Sequence, residues 1–286
     1  MLLDLLKALI LGIVQGITEW LPISSTGHLI LVENALSFQN VSNGFFDTFK
    51  VVIQFGSILA VILLYFKKLF PYKPIRDESG RNKKGAGHFF RAVFNDVYTW
   101  KLWGKIVIAC LPAAVVGLLI EDAIDTVLAT DYVIAAALIV FGIGFIWLEH
   151  ISLKVKCDNV SALRPRTAVG IGLFQMLALV PGVSRSGSTI LGASILGVGR
   201  SAAAEFSFFM AVPMMFGASA IKLLKNAGGF DGFEWALLAL GTLVSFAVSV
   251  AVIKFLMGFI KKHSFAVFGW YRIVLGIIIL AVNAFI

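Results

Sequence analysis

Cysteine and charged residues are both scarce in this chain of 286 residues. The two cysteines, Cys110 in an apolar segment and Cys157 in a basic loop, lack the pairing or spacing of a disulfide framework or a zinc site. Charged residues make up 14% of the chain and hydrophobic residues 59%, and the mean hydropathy is +0.93. So little polar surface excludes a soluble globular protein and predicts a polytopic membrane protein.

The net charge of +8 does not indicate nucleic-acid binding, because the basic residues lie mainly in the gaps between apolar segments. The N-terminal apolar run lacks a small-residue cleavage site and contains Gln15 and Glu19. We therefore do not interpret it as a signal peptide.

Two apolar stretches are interrupted by polar turns. The first, 5–36, is broken at Pro22 and then by the run Ser24, Ser25, Thr26 and Gly27. The second, 168–198, is broken by the sequence PGVSRSGST. Each arm is shorter than the roughly 20 residues that a helix needs to cross a bilayer, so both stretches are predicted to form re-entrant helical hairpins.

Three long apolar segments follow each hairpin. They are predicted at 46–66, 102–120, 132–148, 206–223, 236–259 and 267–285. The expected fold class is therefore an all-α polytopic membrane protein with six transmembrane helices and two re-entrant helical hairpins. It forms one membrane domain, 1–286, with repeat 1 at about 1–151 and repeat 2 at about 167–286.

The two repeats are expected to have inverted topology. In each repeat the re-entrant hairpin returns to the side from which it entered and three helices cross the membrane, so the second repeat starts on the opposite side from the first. Aligning Pro181 with Pro22 puts Ser184 over Ser25 and leaves Gln175 one residue out of register with Gln15. The loops 67–84 and 154–166 are basic and the connection 121–131 is acidic, which places the basic loops in the cytoplasm. The first hairpin then opens to the outside.

Both turns have the character of an anion site. Gln15 and Glu19 are four residues apart and so share one helix face. The hydroxyls of the first turn lie at the start of the second arm, where free N–H groups and the helix dipole favour phosphate. The second turn adds Arg185, a bidentate phosphate donor, and glycines at 182 and 187 that allow close approach of a ligand. Two such turns meeting from opposite sides suit an anionic, phosphate-type ligand.

Structural alternatives exist for these residues. Hydroxyls in apolar helices often bond to backbone, Glu19 and Arg185 could simply neutralise each other, and His28 could be an ordinary interface histidine. Three other ionisable residues in or beside the spans are interpreted as structural pairs or snorkelling groups: Lys50, Glu205 and Arg272. The tryptophans are interpreted mostly as interface anchors: Trp20, Trp100, Trp103, Trp147, Trp235 and Trp270.

The sequence QGITEWLPISSTGH, at 15–28, resembles the first signature of the undecaprenyl-diphosphatase family, a bacterial membrane family associated with bacitracin resistance. LVPGVSRSGST, at 179–189, resembles the second, and the resemblance covers essentially the whole chain, including VIQFGSILAV and AAAEFSFFMAVP. It implies hydrolysis of undecaprenyl diphosphate to the monophosphate carrier used in peptidoglycan synthesis. The expected location is the bacterial inner membrane, with the site open to the periplasmic face. The expected partners are the lipid and the membrane, with a homodimer left open.

The resemblance implies catalytic roles for four residues. Arg185 would clamp the diphosphate. Ser25 would be a nucleophile or a phosphate ligand, and His28 a general acid or base, or itself the nucleophile. Glu19, supported by Gln15, would orient the attacking group or hold a divalent cation, Mg²⁺ or Ca²⁺. The family has Glu or Gln at the position of Gln15, so Glu19 must supply the carboxylate.

The remaining contacts implied by the resemblance are substrate-binding ones, made by Gln15, Ser24, Thr26, Gly27, Ser184, Ser186 and Thr189. A transporter is the rival class, because inverted repeats with broken helices are typical of secondary carriers. A pure transporter, however, does not need a nucleophile and a base beside an arginine. A scaffold is a third alternative, and it would tolerate loss of Arg185.

Overall fold

The computed structural model describes residues 1–36, 38, 41–72, 88, 93–128, 130–151 and 153–285, and within these ranges the chain is a helical bundle. The helices, in chain order, are α1 (Leu2–Thr18), α2 (Ser25–Leu36), α3 (Phe45–Leu64), α4 (Phe66–Leu69), α5 (Val97–Val127), α6 (Asp131–His150), α7 (Pro165–Met176), α8 (Arg185–Ile195), α9 (Arg200–Asn226), α10 (Gly232–Phe259) and α11 (Ala266–Phe285). Part of the first basic loop lies outside the described residues, including Lys73, Arg76, Arg81, Lys83 and Lys84.

Six of these helices are long and apolar enough to cross a membrane, namely α3, α5 up to Ile120, α6, α9, α10 and α11. This confirms the number and order of the predicted spans. All of these helices except α3 extend beyond the predicted limits; α9, for example, begins at Arg200. An apolar pattern ends at the first polar residues, whereas the helix continues through them because they can pair at its end, as Arg200 does with Glu149.

The arms of both predicted hairpins are helical. Helices α1 and α2 flank a turn at 19–24, and α7 is followed by the 3₁₀ turn Leu177–Leu179 and then by a turn at 180–184 that leads into α8. Each hairpin therefore presents the N-terminus of its second helix at its tip.

Each first arm packs against a long helix from the other half of the chain: α1 lies along α10, and α7 lies along α5. Glycine makes both contacts close. A Cβ atom at Gly12 would lie 2.8 Å from the carbonyl oxygen of Gly241, and one at Gly172 would lie 2.3 Å from that of Ala109. Small residues let helix backbones approach in this way in membrane proteins, so the position of each turn is set by the opposite half.

The long helices also pair across the two halves. Helix α3 packs on α9 and α10, and α6 packs on α11. The α6–α11 pair flanks the first turn, because a Cβ atom at Gly27 would lie 3.1 Å from Leu138 and 3.5 Å from Leu275. Helix α11, the last in the chain, is therefore a neighbour of the first hairpin.

Candidate active site

Two serines cap the second helices of the hairpins with the same unusual backbone. Ser24 has φ +73° and Ser184 has φ +71°, and no other non-glycine residue in the described ranges has a positive φ. The Oγ atom of Ser24 accepts from the N–H of Gly27 at 3.3 Å, and that of Ser184 accepts from the N–H of Gly187 at 3.2 Å. A left-handed serine is strained, so each turn is held in place by its surroundings.

These caps correct the alignment that puts Ser184 over Ser25. The structural counterpart of Ser184 is Ser24, an offset of 160 residues at which Gln15 and Gln175 also come into register. The physical reason is one extra residue between the proline and the capping serine of the second turn. That turn contains Gly182 at φ +92°, a conformation that glycine adopts without strain.

An ion pair joins the two turns. The Nη2 atom of Arg185 lies 3.2 Å from Oε1 of Glu19, and the side chains are 14% and 8% exposed. The structure therefore brings together two candidate residues that are far apart in the sequence. Because the pair is largely shielded from water, its electrostatic interaction is stronger than that of a surface pair.

The other oxygen of Glu19 is shared by Gln15 and Ser25. The Nε2 atom of Gln15 donates to Oε2 at 2.9 Å, and the hydroxyl of Ser25 donates to the same oxygen at 3.3 Å. The Oε1 atom of Gln15 is buried and accepts no hydrogen bond. A hydroxyl hydrogen-bonded to a carboxylate is the arrangement of an activated nucleophile.

Arg185 is held from α9 as well as by Glu19. Its Nη1 atom donates to the carbonyl oxygen of Ser207 at 2.7 Å and lies 3.3 Å from the hydroxyl of that residue. The guanidinium carbon lies 5.7 Å from the ring centroid of Trp20, which is fully buried and packs edge-on against Phe208. The prediction that Trp20 is an interface anchor is therefore wrong, because the ring is covered by α9 and Arg185.

The hydroxyls of the second turn are buried and bonded to protein atoms. Ser186 donates to the carbonyl oxygen of Glu19 at 3.2 Å, and Thr189 donates to that of Arg185 at 2.7 Å. Ser188 also donates to the carbonyl oxygen of Arg185, at 3.1 Å. The bond from Ser186 joins the two turns, and the other two bonds lie within the second turn. Direct phosphate contacts by Ser186 and Thr189 stay predictions.

The first turn is more open: Thr26 is exposed, and Ser25 and His28 are half-buried. The Nδ1 atom of His28 lies 2.7 Å from the carbonyl oxygen of Ser24, and Nε2 lies 2.7 Å from the hydroxyl of Tyr271 on α11. Burial lowers the pKa of His28, the bond to Ser24 opposes this, and the nearby charge of Arg272 lowers the pKa further. At neutral pH the imidazole is therefore uncharged.

Arg272 is the second cation at this junction. It is 0% exposed; Nη1 donates to the carbonyl oxygen of Pro22 at 3.2 Å, and Nη2 donates to those of Gly182 and Val183 at 2.9 and 2.8 Å. One guanidinium group thus binds both turns. The interpretation of Arg272 as a structural pair or a snorkelling group is wrong, because its charge lies at the tips of the two hairpins.

The other two structural pairs are confirmed. Lys50 lies 3.1 Å from Asp47, and Glu205 lies 2.7 Å from Lys68. Four of the remaining tryptophans are exposed, which fits membrane-interface positions: Trp100, Trp147, Trp235 and Trp270.

The charges at the junction favour a polyanion. Glu19 contributes one negative charge, Arg185 and Arg272 contribute two positive charges, and the N-termini of α2 and α8 add partial positive charge. The described residues contain no group of three or more His, Cys, Asp or Glu side chains that could hold a metal ion. The oxygen atoms that suit Mg²⁺ or Ca²⁺ here are those of Glu19 and the unbonded Oε1 of Gln15.

Comparison with known proteins gives a match to the family described as "Bacitracin resistance protein BacA" over residues 8–278, which include both turns and Arg272. The chain belongs to the BacA family. It is 54% identical to "Undecaprenyl-diphosphatase 1" of Clostridioides difficile (strain 630) over 98% of this chain and 96% of that protein. It is 48% identical to the "Undecaprenyl-diphosphatase" of Enterococcus faecalis over 99% of this chain and 98% of that protein. The "Undecaprenyl-diphosphatase" of Streptococcus thermophilus (strain ATCC BAA-250 / LMG 18311) is also 48% identical, over 99% and 94%.

For this member of the BacA family, the residues missed by sequence reasoning come from outside the two turns. Tyr271 and Arg272 lie on α11, and Ser207 lies on α9. One signal could have found Arg272, since an ionisable residue inside an apolar segment is a candidate functional residue by default. Tyr271 and Ser207 carry no such signal, because tyrosine and serine are common in membrane helices.

Proposed function

We propose that this chain is an integral membrane phosphatase that hydrolyses undecaprenyl diphosphate to undecaprenyl phosphate and inorganic phosphate. The observation that carries the proposal is a single connected network: the hydroxyl of Ser25 donates to the carboxylate of Glu19, which is paired with Arg185. The undecaprenyl-diphosphatases of several bacteria are its relatives over nearly their whole length. The reaction regenerates the lipid carrier for peptidoglycan and other cell-wall polymers.

The diphosphate binds at the N-termini of α2 and α8. Arg185 stabilises the charge that develops on the phosphoryl oxygens, and the N–H groups of the two helix termini add to this stabilisation. Glu19 accepts the proton of the attacking hydroxyl, that of Ser25 or of a water molecule in its place. The attack on the terminal phosphorus breaks its bond to the bridging oxygen, and undecaprenyl phosphate leaves. Where Ser25 is the attacking group, a water molecule then cleaves the phosphoryl-serine to inorganic phosphate, and Glu19 returns the proton to the Ser25 oxygen.

Glu19 and Gln15 would hold a Mg²⁺ or Ca²⁺ ion, which would neutralise part of the charge of the diphosphate when bound. The support is chemical: the carboxylate of Glu19 and the amide oxygen of Gln15, which is buried without a hydrogen bond, are oxygen ligands of the kind that these ions prefer. Removal of divalent cations with a chelator is expected to lower phosphate release, and readdition of Mg²⁺ or Ca²⁺ to restore it.

The chain forms one membrane domain of two inverted repeats, 1–151 and 167–286, whose hairpins are re-entrant. Three features support this: the equivalent caps at Ser24 and Ser184, the reciprocal packing of α1 on α10 and α7 on α5, and the pairing of α3 with α9 and of α6 with α11. The basic loops face the cytoplasm of the bacterial inner membrane, and the site opens to the periplasm. Labelling of Asn43→Cys from outside and of His263→Cys from inside, in a variant without Cys110 and Cys157, checks this orientation. A homodimer stays a prediction that light scattering of the purified protein checks.

The function is tested by phosphate release from a long-chain prenyl diphosphate by the purified protein in detergent. Arg185→Ala and Glu19→Ala are expected to lower the rate by at least about 10²-fold. The matched controls are Arg200→Ala and Glu205→Gln, which remove other ion-paired groups outside the turns and should leave the rate within about twofold.

A wild-type protein that is inactive with every divalent cation would overturn the phosphatase assignment. Transport of the lipid phosphate in liposomes would then be the next assay. Full activity of both turn variants would show that the Glu19–Arg185 pair is only structural.

A further inference from the structure

Both ring nitrogens of His28 are occupied. The carbonyl oxygen of Ser24 can only accept a hydrogen bond, so Nδ1, 2.7 Å away, carries the proton. In the neutral ring Nε2 then has the lone pair, and the hydroxyl of Tyr271, also 2.7 Å away, donates to it. The two rings stack with centroids 5.5 Å apart and an angle of 9° between their planes.

The surroundings of His28 also favour the uncharged ring. Arg272 is the charged group that faces it from α11, and a positive charge opposes a second one. Helix α6 presents the aliphatic Leu138 to this turn. Glu19, the acidic group of the first turn, is committed to Arg185, Gln15 and Ser25.

We propose that Tyr271 is a positioning residue that holds His28 as the neutral Nδ1–H tautomer and occupies its lone pair. While that bond lasts, Nε2 cannot attack phosphorus. His28 is therefore a fixed, uncharged ring in the wall of the site, and the attacking group is the hydroxyl of Ser25 or a water molecule. Only the kinetic readout of this proposal rests on the proposed function.

The first test needs no substrate. Nitrogen-15 NMR of histidine-labelled full-length protein reports the tautomer and the pKa of each imidazole, and the signals of His28 are those lost in His28→Gln. The wild type is expected to show the Nδ1–H tautomer. Tyr271→Phe removes a hydrogen bond to the neutral ring and should raise the pKa of His28 by about 0.5 to 1. Tyr132→Phe removes a hydroxyl from an exposed tyrosine of α6 and should change nothing.

An Nε2–H tautomer in the wild type, or an unchanged pKa of His28 in Tyr271→Phe, overturns the proposal. Both results are available whether or not the protein hydrolyses the lipid, so they separate this proposal from the proposed function.

The second test is the dependence of kcat on pH. His28 becomes protonated as the pH falls through its pKa. Because Tyr271→Phe raises this pKa, the acid limb of its pH–kcat profile should lie at higher pH than that of the wild type. On that limb the kcat of Tyr271→Phe should be about 3- to 10-fold below that of the wild type, because loss of one hydrogen bond raises the pKa of His28 by about 0.5 to 1. On the alkaline plateau kcat should be near that of the wild type, and KM should be unchanged. An equal loss at every pH would mean that Tyr271 has only a structural role and would overturn the proposal.

Discussion

The two hairpin turns share a serine cap of positive φ and differ in their chemistry. Each begins its second helix with a left-handed serine cap, at Ser24 and at Ser184. At the same offset, however, Ser25 corresponds to Arg185 and His28 to Ser188, and Glu19 corresponds to Leu179. The first turn therefore carries the carboxylate, the imidazole and an accessible hydroxyl, and the second carries the guanidinium group.

Among the hydroxyls that follow the capping serines, burial follows the same division. The hydroxyls of the second turn, on Ser186, Ser188 and Thr189, are buried and bonded to protein, whereas Ser25 is half-buried and Thr26 is exposed. The second turn is thus the more fully bonded of the two and presents one guanidinium group, whereas the first keeps hydroxyls accessible. The two turns share a serine-capped helix N-terminus and differ in the side chains around it.

The largest effect is expected when the chemistry of the turns is exchanged. Glu19→Arg combined with Arg185→Glu restores opposite charges but leaves the hydroxyl of Ser25 without its acceptor. We expect phosphate release to stay at least about 10³-fold below wild type, while thermal unfolding recovers toward that of the wild type. Recovery of activity in the double variant would mean that the pair only neutralises charge.

The next comparison sets an accessible hydroxyl against a buried one. Ser25→Ala should lower kcat by about 10²-fold or more with an unchanged Tm. Ser188→Ala removes a buried bond to the carbonyl oxygen of Arg185 and should lower the free energy of unfolding by about 1 kcal/mol, with kcat within about twofold. The reverse outcome, a stability effect at Ser25 and a kinetic effect at Ser188, would contradict the division between the turns.

Arg272→Lys tests the link between the two turns. A lysine keeps the charge but cannot donate to both sets of carbonyl oxygens, because its ammonium group lacks the guanidinium fork. The turns should lose their alignment, and kcat should fall about 10- to 100-fold. Arg200→Lys, at an ion pair with the single carboxylate of Glu149, is the matched control. Equal activity of the two variants would show that Arg272 does not position the turns.

The smallest effect concerns the caps. Ser184→Ala loses the cap and keeps the strained φ, so the free energy of unfolding should fall by about 2 kcal/mol. Ser184→Gly loses the cap but relieves the strain, and should cost no more than about 0.5 kcal/mol. The alanine and glycine variants of Ser24 should rank in the same order of unfolding free energy if the two backbones are equivalent. A different order in chemical denaturation would show that they are not.

The sequence is sufficient to predict the six spans, since apolar segments of spanning length have few alternatives, and the two turns, since each polar run interrupts an apolar one. It also identifies Glu19 and Arg185 as partners. The second turn has one more residue than the first between its proline and its capping serine. Aligning the prolines does not predict which serine is the cap, because that depends on the backbone angles at Gly182 and Ser184.

Burial and long-range contacts are the other features that the sequence does not reveal. Trp20 ends an apolar segment, as an interface anchor would, and only the packing of α9 shows that it is covered. Tyr271 follows His28 by 243 residues, and no local pattern connects them. Such contacts depend on which helices become neighbours.

The reciprocal packing of the first arms has a consequence for biosynthesis. Helix α1 lies against α10, which starts at Gly232, so the ribosome must add most of the chain before the first arm has its partner. Arg185 is also made long after Glu19, so the N-terminal half alone lacks the Glu19–Arg185 pair. We therefore expect the site to be completed late in synthesis, and a product that ends before α10 to be inactive.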